Sequence, residues 1–379
     1  MKKLSLIMAV LMLAVAVAGC GGSSSSAPAS STPASSEAAS GETASSEAAS
    51  SEAASSEAAT AELNGDGILV GSCIYKFDDT FMTGVRTNMQ AEADALGATL
   101  EIVDSQNKQP TQNDQVDTYI TKGVNALAVN PVDRTAAGPL ADKAKAEGLP
   151  IVFLNREPEA DVMQSYDQVW YVGAKAEESG TMSGQIIADY FTANPDADKN
   201  GDGKIQYIML QGEQGHQDAV LRTEYSVKAM EEAGFGVEAL GSDNADWDKV
   251  KATDKMKGFI ASAGIENIEA VLANNDDMAL GALEALKAEG YNTGDPTKYI
   301  PVVGVDATAP ALESMSKGEL LGTVLNDAEN QGKATVRIAV AAASGVGVTT
   351  ETIGYEVTDG KYVWIPYVKV TADNYQDFM

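Results

Sequence analysis

Asp and Asn recur along this chain directly after short apolar runs. Asp78 and Asp79 follow the run that ends at Ile74, and Asp104 follows Val103. Asn130 follows Val129, Asn155 follows Leu154, and Asn274 with Asn275 follows Ala273. Asp306 and Asn326 follow Val305 and Leu325. A carboxylate only accepts hydrogen bonds, whereas a carboxamide accepts and donates. A mixture of the two therefore suits ligand hydroxyls, which do both. The same residues could cap helices, and at single positions both roles stand open. His216 is the only histidine, with Asp218 and Arg222 close behind it. Beside Asp218 it could serve as a general base, with Asp79 and Asp306 as paired carboxylates of a glycosidase. No nucleophile elbow or Cys/His arrangement accompanies it, so a hydrogen bond to a ligand hydroxyl is the simpler role.

A second group of oxygens lies in Asp198-Lys199-Asn200-Gly201-Asp202-Gly203-Lys204-Ile205-Gln206. Oxygen side chains at the first, third and fifth positions and glycine at the sixth match the opening of a calcium loop. An EF-hand needs glutamate at the twelfth position, where Met209 stands. An EF-hand is therefore excluded, and an acidic surface turn is the alternative.

These residues must be positioned by the elements between them. Continuous apolar runs, among them Ile68–Ile74, Leu100–Val103, Ala126–Val129, Ile151–Leu154, Tyr207–Leu210, Ala270–Ala273, Val302–Val305 and Thr323–Leu325, alternate with helical-period stretches such as Phe81–Leu96 and Ala219–Ala233. That alternation predicts α/β lobes with parallel sheets covered on both faces. Ligands of open parallel sheets bind at the carboxyl ends of the strands, where the Asp and Asn residues fall. No Gly-x-Gly-x-x-Gly follows the first strand, and no Walker-type loop is present.

The N-terminus reads as an export signal. Lys2 and Lys3 precede an apolar run from Leu4 to Ala18, shorter than the roughly 20 residues of a membrane-crossing helix. Val17-Ala18-Gly19-Cys20 resembles a lipobox, implying cleavage of residues 1–19 and lipidation of Cys20. Residues 20–62 are nearly all small or polar, with Ser-Ser-Glu-Ala-Ala recurring, and predict a disordered tether. Its span would be very roughly 35 Å. The remaining residues, about 310 in number, are too many for one ordinary core and suggest two lobes. Without Lys2 and Lys3 the net charge is −31, a field that repels nucleic acid and anionic lipid. Cys73 then has no partner and should be a buried inert thiol.

The stretches Ile74-Tyr75-Lys76-Phe77-Asp78-Asp79-Thr80-Phe81-Met82, Phe153-Leu154-Asn155-Arg156-Glu157-Pro158 and Gly212-Glu213-Gln214-Gly215-His216-Gln217-Asp218-Ala219 resemble the periplasmic galactose/glucose-binding proteins, sugar-binding components of ABC transporters. So do Ala273-Asn274-Asn275-Asp276, Gly304-Val305-Asp306-Ala307 and Thr323-Val324-Leu325-Asn326-Asp327. The resemblance runs from about Gly67 to the C-terminus and implies the type I periplasmic-binding-protein fold. Two doubly wound lobes, 66–173 with 328–363 and 174–327 with 364–379, would be joined by three crossings near Gly173–Lys175, Asn326–Ala328 and Trp364–Pro366. It places a hexose between Phe81 and Trp247, within a polar ring of Asp79, Asn155, His216, Asp218, Arg222, Asn275, Asp306 and Asn326. The residue matching Asp79 accepts either epimer at C4, so D-galactose and D-glucose would both bind.

For the acidic loop the resemblance implies a Ca2+ ion held by Asp198, Asn200, Asp202, the Lys204 carbonyl, Gln206 and a distant carboxylate at Glu269. It further implies a non-enzymatic, monomeric lipoprotein on the outer face of the cell membrane. Its partners would be an ABC-type permease and, as a further one, a chemoreceptor. Thr80 and Gln217 depart from the pattern, where asparagine and proline are expected, and the loop Gly290–Tyr299 is longer. A pentose or autoinducer sugar is the alternative ligand. A sugar-responsive transcription regulator of the same fold would need a basic helix-turn-helix at the N-terminus.

Overall fold

The structure is a computed structural model that describes residues 63–379; Cys20 and the signal and tether readings lie outside the described residues. The first lobe builds β1 (Leu69–Ile74), α1 (Thr80–Leu96), β2 (Thr99–Asp104), α2 (Gln109–Lys122), β3 (Ala126–Val129), α3 (Ala137–Ala146), β4 (Ile151–Leu154), α4 (Ala160–Gln164) and β5 (Val169–Gly173). The second builds α5 (Ala176–Ala193), β6 (Lys204–Gln211), α6 (Gln217–Glu232), β7 (Gly236–Asn244), α7 (Lys249–Ala263), β8 (Ala270–Ala273), α8 (Asp276–Ala288), β9 (Val302–Val303), α9 (Ala309–Ser316) and β10 (Thr323–Leu325). The chain returns to the first lobe for α10 (Ala328–Ser344), α11 (Thr350–Ile353) and β11 (Tyr362–Trp364), then ends in the second with β12 (Val368–Val370).

The first sheet is wholly parallel in the order β11-β5-β4-β3-β1-β2. Its inner strands β3, β4 and β5 carry no charged or amide side chain because both faces are covered, whereas the edge strand β2 carries Glu101 and Asp104. Val70, Ala128, Val152 and Val172 meet Met82, Val85 and Met89 of α1 and Ile338 of α10 on one face. Cys73, Leu127, Ile151 and Phe153 meet Val116, Leu140 and Met163 of α2, α3 and α4 on the other. Cys73 is free and buried, and burial pushes its thiol up to about 12, as expected of an inert core cysteine. In the second lobe β7-β6-β8-β9 are parallel. Single parallel bridges, Val303 to Gly322 and Asp306 to Leu325, bring β10 alongside, and β12 pairs with it antiparallel.

Three connections link the lobes, over residues 174–175, 326–327 and 365–367. Trp364 differs from its expected place. It pairs with Gly173 as the last residue of β11, so it belongs to the first lobe and the crossing starts at Ile365. β7 carried no apolar run because it is a largely exposed edge strand, where no second face demands burial. The long loop before β9 folds around Asn292, which is 1% exposed and exchanges hydrogen bonds with Ile300 while donating to the Glu319 carbonyl.

Helix α6, which carries Asp218 and Arg222, is set by its contact with α5. Small residues allow the two backbones to meet: a Cβ at Gly184 would stand 2.2 Å from the Ser226 carbonyl oxygen, and one at Gly180 2.9 Å from Arg222 Cα. Neither neighbour is a flexible side-chain tip, so the helices must part to admit a methyl group. Gly184→Ala should cost about 1–3 kcal/mol by overpacking and lower the melting temperature by several degrees. An unchanged thermal unfolding curve would show that the helices separate freely.

Candidate functional site

The carboxyl ends of both sheets face one space of about 360 Å3, part of it open to solvent. Asp79, Phe81 and Asn155 line it from the first lobe. His216, Asp218, Arg222, Trp247, Asn275 and Asp306 line it from the second, and Asn326 from a connection. All ten residues singled out from the sequence for hydroxyl and ring contacts are thus brought together. Tyr75, Met82 and Arg156 join them.

Helix starts hold several of the polar groups. Asp79 caps α1, its Oδ1 accepting from Met82 N at 2.7 Å. Asn275 caps α8, its Oδ1 accepting from Met278 N at 3.0 Å. Capping uses one acceptor of each side chain and leaves the rest of it toward the cavity, so the two roles read from the sequence coexist. His216 caps α6 through Nδ1, which accepts from Asp218 N at 3.1 Å. That bond places the imidazole proton on Nε2. Desolvation, with Arg156 and Arg222 nearby, holds the histidine well below its ordinary value, so the ring is neutral.

Phe81 and Trp247 are each 8% exposed. The indole lies against Gly212, whose absent Cβ would fall 2.1 Å from the ring, and meets His216 edge-on at 5.1 Å between centroids. Trp247, Asn155 and Asp306 all have positive φ, at 61°, 61° and 126°. Such backbones cost roughly 1–3 kcal/mol each in non-glycine residues and gather at functional sites.

Arg222 supplies the charge. It is 5% exposed; Nη1 donates to the Asn274 carbonyl at 2.7 Å, and Nη2 donates to Tyr367 Oη at 2.9 Å. Asp218 Oδ2 lies 3.5 Å from Nη2. Arg222 Nε, also buried, meets no acceptor in the protein. Burial raises the pKa of Asp218 and raises that of Asp306 well above the usual range, with Arg222 opposing both. Asp306 Oδ1 accepts from Asn326 Nδ2 at 3.2 Å, and Asn326 Oδ1 accepts from Gln331 Nε2 at 2.6 Å. Behind them lies Asp276, fully buried, with its pKa pushed up to about 6 by desolvation. It accepts from Thr323 Oγ1 at 2.6 Å and Thr308 N at 2.8 Å, which ties the Asp306 loop to α8.

Not every strand-end polar residue reaches the cavity. Asp104 accepts from Gln106 N in a local turn. Asn130 is a buried tie, accepting from Tyr75 N and donating to the Leu154 carbonyl and Asn155 Oδ1. Asn274 accepts from Gly212 N. Sequence reasoning passed over Tyr75, Arg156 and Tyr367. The first two stand inside the quoted stretches, and their closeness to Asp79 and Asn155 was the available signal. Tyr367 carried none. Thr80 and Gln217, the departures from the expected pattern, both bridge the lobes. Thr80 Oγ1 donates to Asp277 Oδ2 at 2.8 Å, and Gln217 Nε2 donates to Glu157 Oε2 at 3.1 Å.

The acidic loop lies away from this cavity, at the start of β6. Asp198 accepts from Gly201 N and Gly203 N, Asn200 from Asp202 N, and Asp202 from Lys204 N and Gln206 Nε2. Lys204 points its ammonium outward to Glu238. Glu269, 2% exposed, accepts from Lys199 N at 2.6 Å and Gln206 N at 3.1 Å. No three His, Cys, Asp or Glu side chains among the described residues converge on one metal position. The oxygen-only set nevertheless suits a hard cation, for which amide and carbonyl oxygens also serve. Gln206 Oε1 is a buried acceptor with no donor, the kind of atom a cation would satisfy.

A family model described as "Periplasmic binding protein domain" matches residues 70–346. A D-galactose/methyl-galactoside binding periplasmic protein from Haemophilus influenzae is 46% identical over 311 residues, covering 82% of this chain and 91% of that protein. A putative rhizopine-binding protein from Rhizobium meliloti is 32% identical over 312 residues, 82% and 92% of the two chains. Among solved structures, an ABC transporter solute binding protein from Bacillus halodurans with bound myo-inositol superposes with a TM-score of 0.69. It is 30% identical, and the match covers 83% of this chain and 98% of that one. The chain therefore belongs to the periplasmic binding protein family and has its type I α/β fold.

Proposed function

We propose that the chain is an extracellular solute-binding lipoprotein that captures D-galactose or D-glucose and delivers it to an ABC import permease. The observation that carries the reading is the joining of two aromatic rings with a ring of Asp, Asn, His and Arg groups in one cavity. A pyranose has apolar C–H faces for Phe81 and Trp247 and outward hydroxyls for the polar groups. Neutral His216 would donate through Nε2, Arg222 through its spare Nε, and Asp79, Asp218 and Asp306 would accept. The D-galactose/methyl-galactoside binding relative from Haemophilus influenzae, at 46% identity, supports galactose. The inositol-bound neighbour favours a second reading, a different cyclic polyol or monosaccharide at the same site.

Calorimetric titration with D-galactose, D-glucose and D-ribose should show binding of both hexoses. Asp79→Ala should weaken both by roughly 1–3 kcal/mol or more, through loss of a buried acceptor. Tight ribose binding with no response to either hexose would overturn the assignment.

Ca2+ at the loop would be held by Asp198, Asn200, Asp202, the Lys204 carbonyl, Gln206 and Glu269. The fit rests on the undonated Gln206 Oε1 and the buried Glu269 carboxylate. A hard cation there neutralises the loop and joins it to the segment entering β8. An ion bound only to the folded state stabilises by about 2.7 kcal/mol at a hundred times its dissociation constant. Chelation should lower the melting temperature by several degrees and leave hexose affinity nearly intact, and Glu269→Gln should reproduce most of the loss. An unaltered melting curve in chelator would return the loop to an acidic turn.

Lipidation at Cys20 would hold the protein at the outer face of the cell membrane through the tether of residues 20–62. Cys20→Ser should move the protein from the membrane fraction to the soluble one without changing sugar affinity. Equal partition of wild type and variant would refute the anchor.

A further inference from the structure

Arg156 belongs to the first lobe and Glu213 to the second, yet Arg156 Nη2 lies 3.0 Å from Glu213 Oε2. The guanidinium is 4% exposed, and its Cζ stands 3.8 Å from the centroid of the Tyr75 ring. Its Nη1 donates to the Val132 carbonyl at 2.5 Å. Tyr75 is 2% exposed, and its hydroxyl donates to Asp79 Oδ2 at 2.5 Å. A continuous run of contacts thus leads from Glu213 across the cleft, through Arg156 and Tyr75, to the carboxylate that faces the ligand space.

The two oxygens of Asp79 have separate duties. Oδ1 caps α1 through Met82 N, so the helix start does not need the second oxygen. Among the described residues, Oδ2 accepts its hydrogen bond from Tyr75 Oη. Burial and the neighbouring carboxylate keep the phenol protonated, so it stays a donor. A cation over a desolvated ring attracts it, and a charge-assisted bond between Arg156 and Glu213 exists only while the lobes are together.

We propose that Arg156 and Tyr75 are positioning residues that convey lobe closure to Asp79. Glu213 pins the guanidinium over Tyr75, and the tyrosine hydroxyl then sets the direction of the Asp79 lone pairs left for a ligand hydroxyl. When the lobes part, Glu213 withdraws, the clamp on the ring loosens and Asp79 Oδ2 turns more freely. Closure and correct ligand geometry therefore reinforce each other, and the benefit falls on the lifetime of the closed complex. The inference rests on the reading of the cavity as a hexose site.

The test is a double-mutant cycle on the full folded chain with D-galactose as probe. Equilibrium affinity comes from calorimetry and rates from stopped-flow Trp fluorescence. Tyr75→Phe removes only the hydroxyl, and Glu213→Gln removes only the charge of a partly exposed rim residue. Each should weaken binding about tenfold, chiefly through faster dissociation. The double variant should be little worse than the weaker single, because contacts in one network couple strongly. Should Tyr75→Phe fail to fold, Arg156→Lys takes its place in the cycle with the same expectation. Multiplying losses, or losses confined to the association rate, would overturn the relay while leaving the hexose site standing. A wild-type chain with no response to galactose or glucose would overturn the site reading and the relay with it.

Discussion

Arg222 is 5% exposed, and a cation so buried is tolerated only where its hydrogen bonds are met and its charge is balanced. Much of the second lobe answers that requirement. The Asn274 carbonyl, at the end of β8, and Tyr367, on the final crossing, receive its donors. Asp218 stands one turn earlier on α6, and Asp306 contributes charge from the opposite strand end. Helix α6 can sit close enough to deliver all this because Gly180 and Gly184 let α5 approach its backbone. The outcome is a guanidinium whose Nε meets no acceptor in the protein, beside carboxyls whose ionised form it favours while desolvation opposes it.

The same constraint explains the polarity of the cavity. Buried carboxylates have raised pKa values here because desolvation exceeds the help they receive. Two of them are braced by hydrogen bonds, Asp276 by Thr323 and Thr308, and Asp306 by Asn326, which Gln331 holds in turn. A neutral, hydroxyl-rich ligand suits such a site, since it adds hydrogen bonds without a further charge to be stabilised.

Among the described residues, side-chain hydrogen bonds and ion pairs across the cleft include Thr80 with Asp277, Gln217 with Glu157, and both Arg156 and Asn107 with Glu213. Two of these four are made by Thr80 and Gln217, which depart from the expected pattern.

The periodicity of the chain determined the fold class, because a strand covered on both faces is apolar along its run, as β3, β4 and β8 are at every position. Polar punctuation after those strands marked the ligand edge, since sheet ends are where backbone and side chains face solvent or ligand. The motif resemblance then named ten residues that meet in one cavity. What the sequence could not determine was which strand-end residues turn inward. Asn130 and Asn155 occupy like positions, yet Asn130 is consumed in tying Tyr75 to Leu154, and only the packing of β1 against β3 and β3 against β4 decides that. Edge strand β7 was invisible for want of burial, and short strands β11 and β12 because three residues carry no period. Tyr75, Arg156 and Tyr367 acquire their roles from partners distant in the chain or across the cleft. Long-range juxtaposition of that kind leaves no trace in local composition, and only the closed tertiary arrangement supplies it.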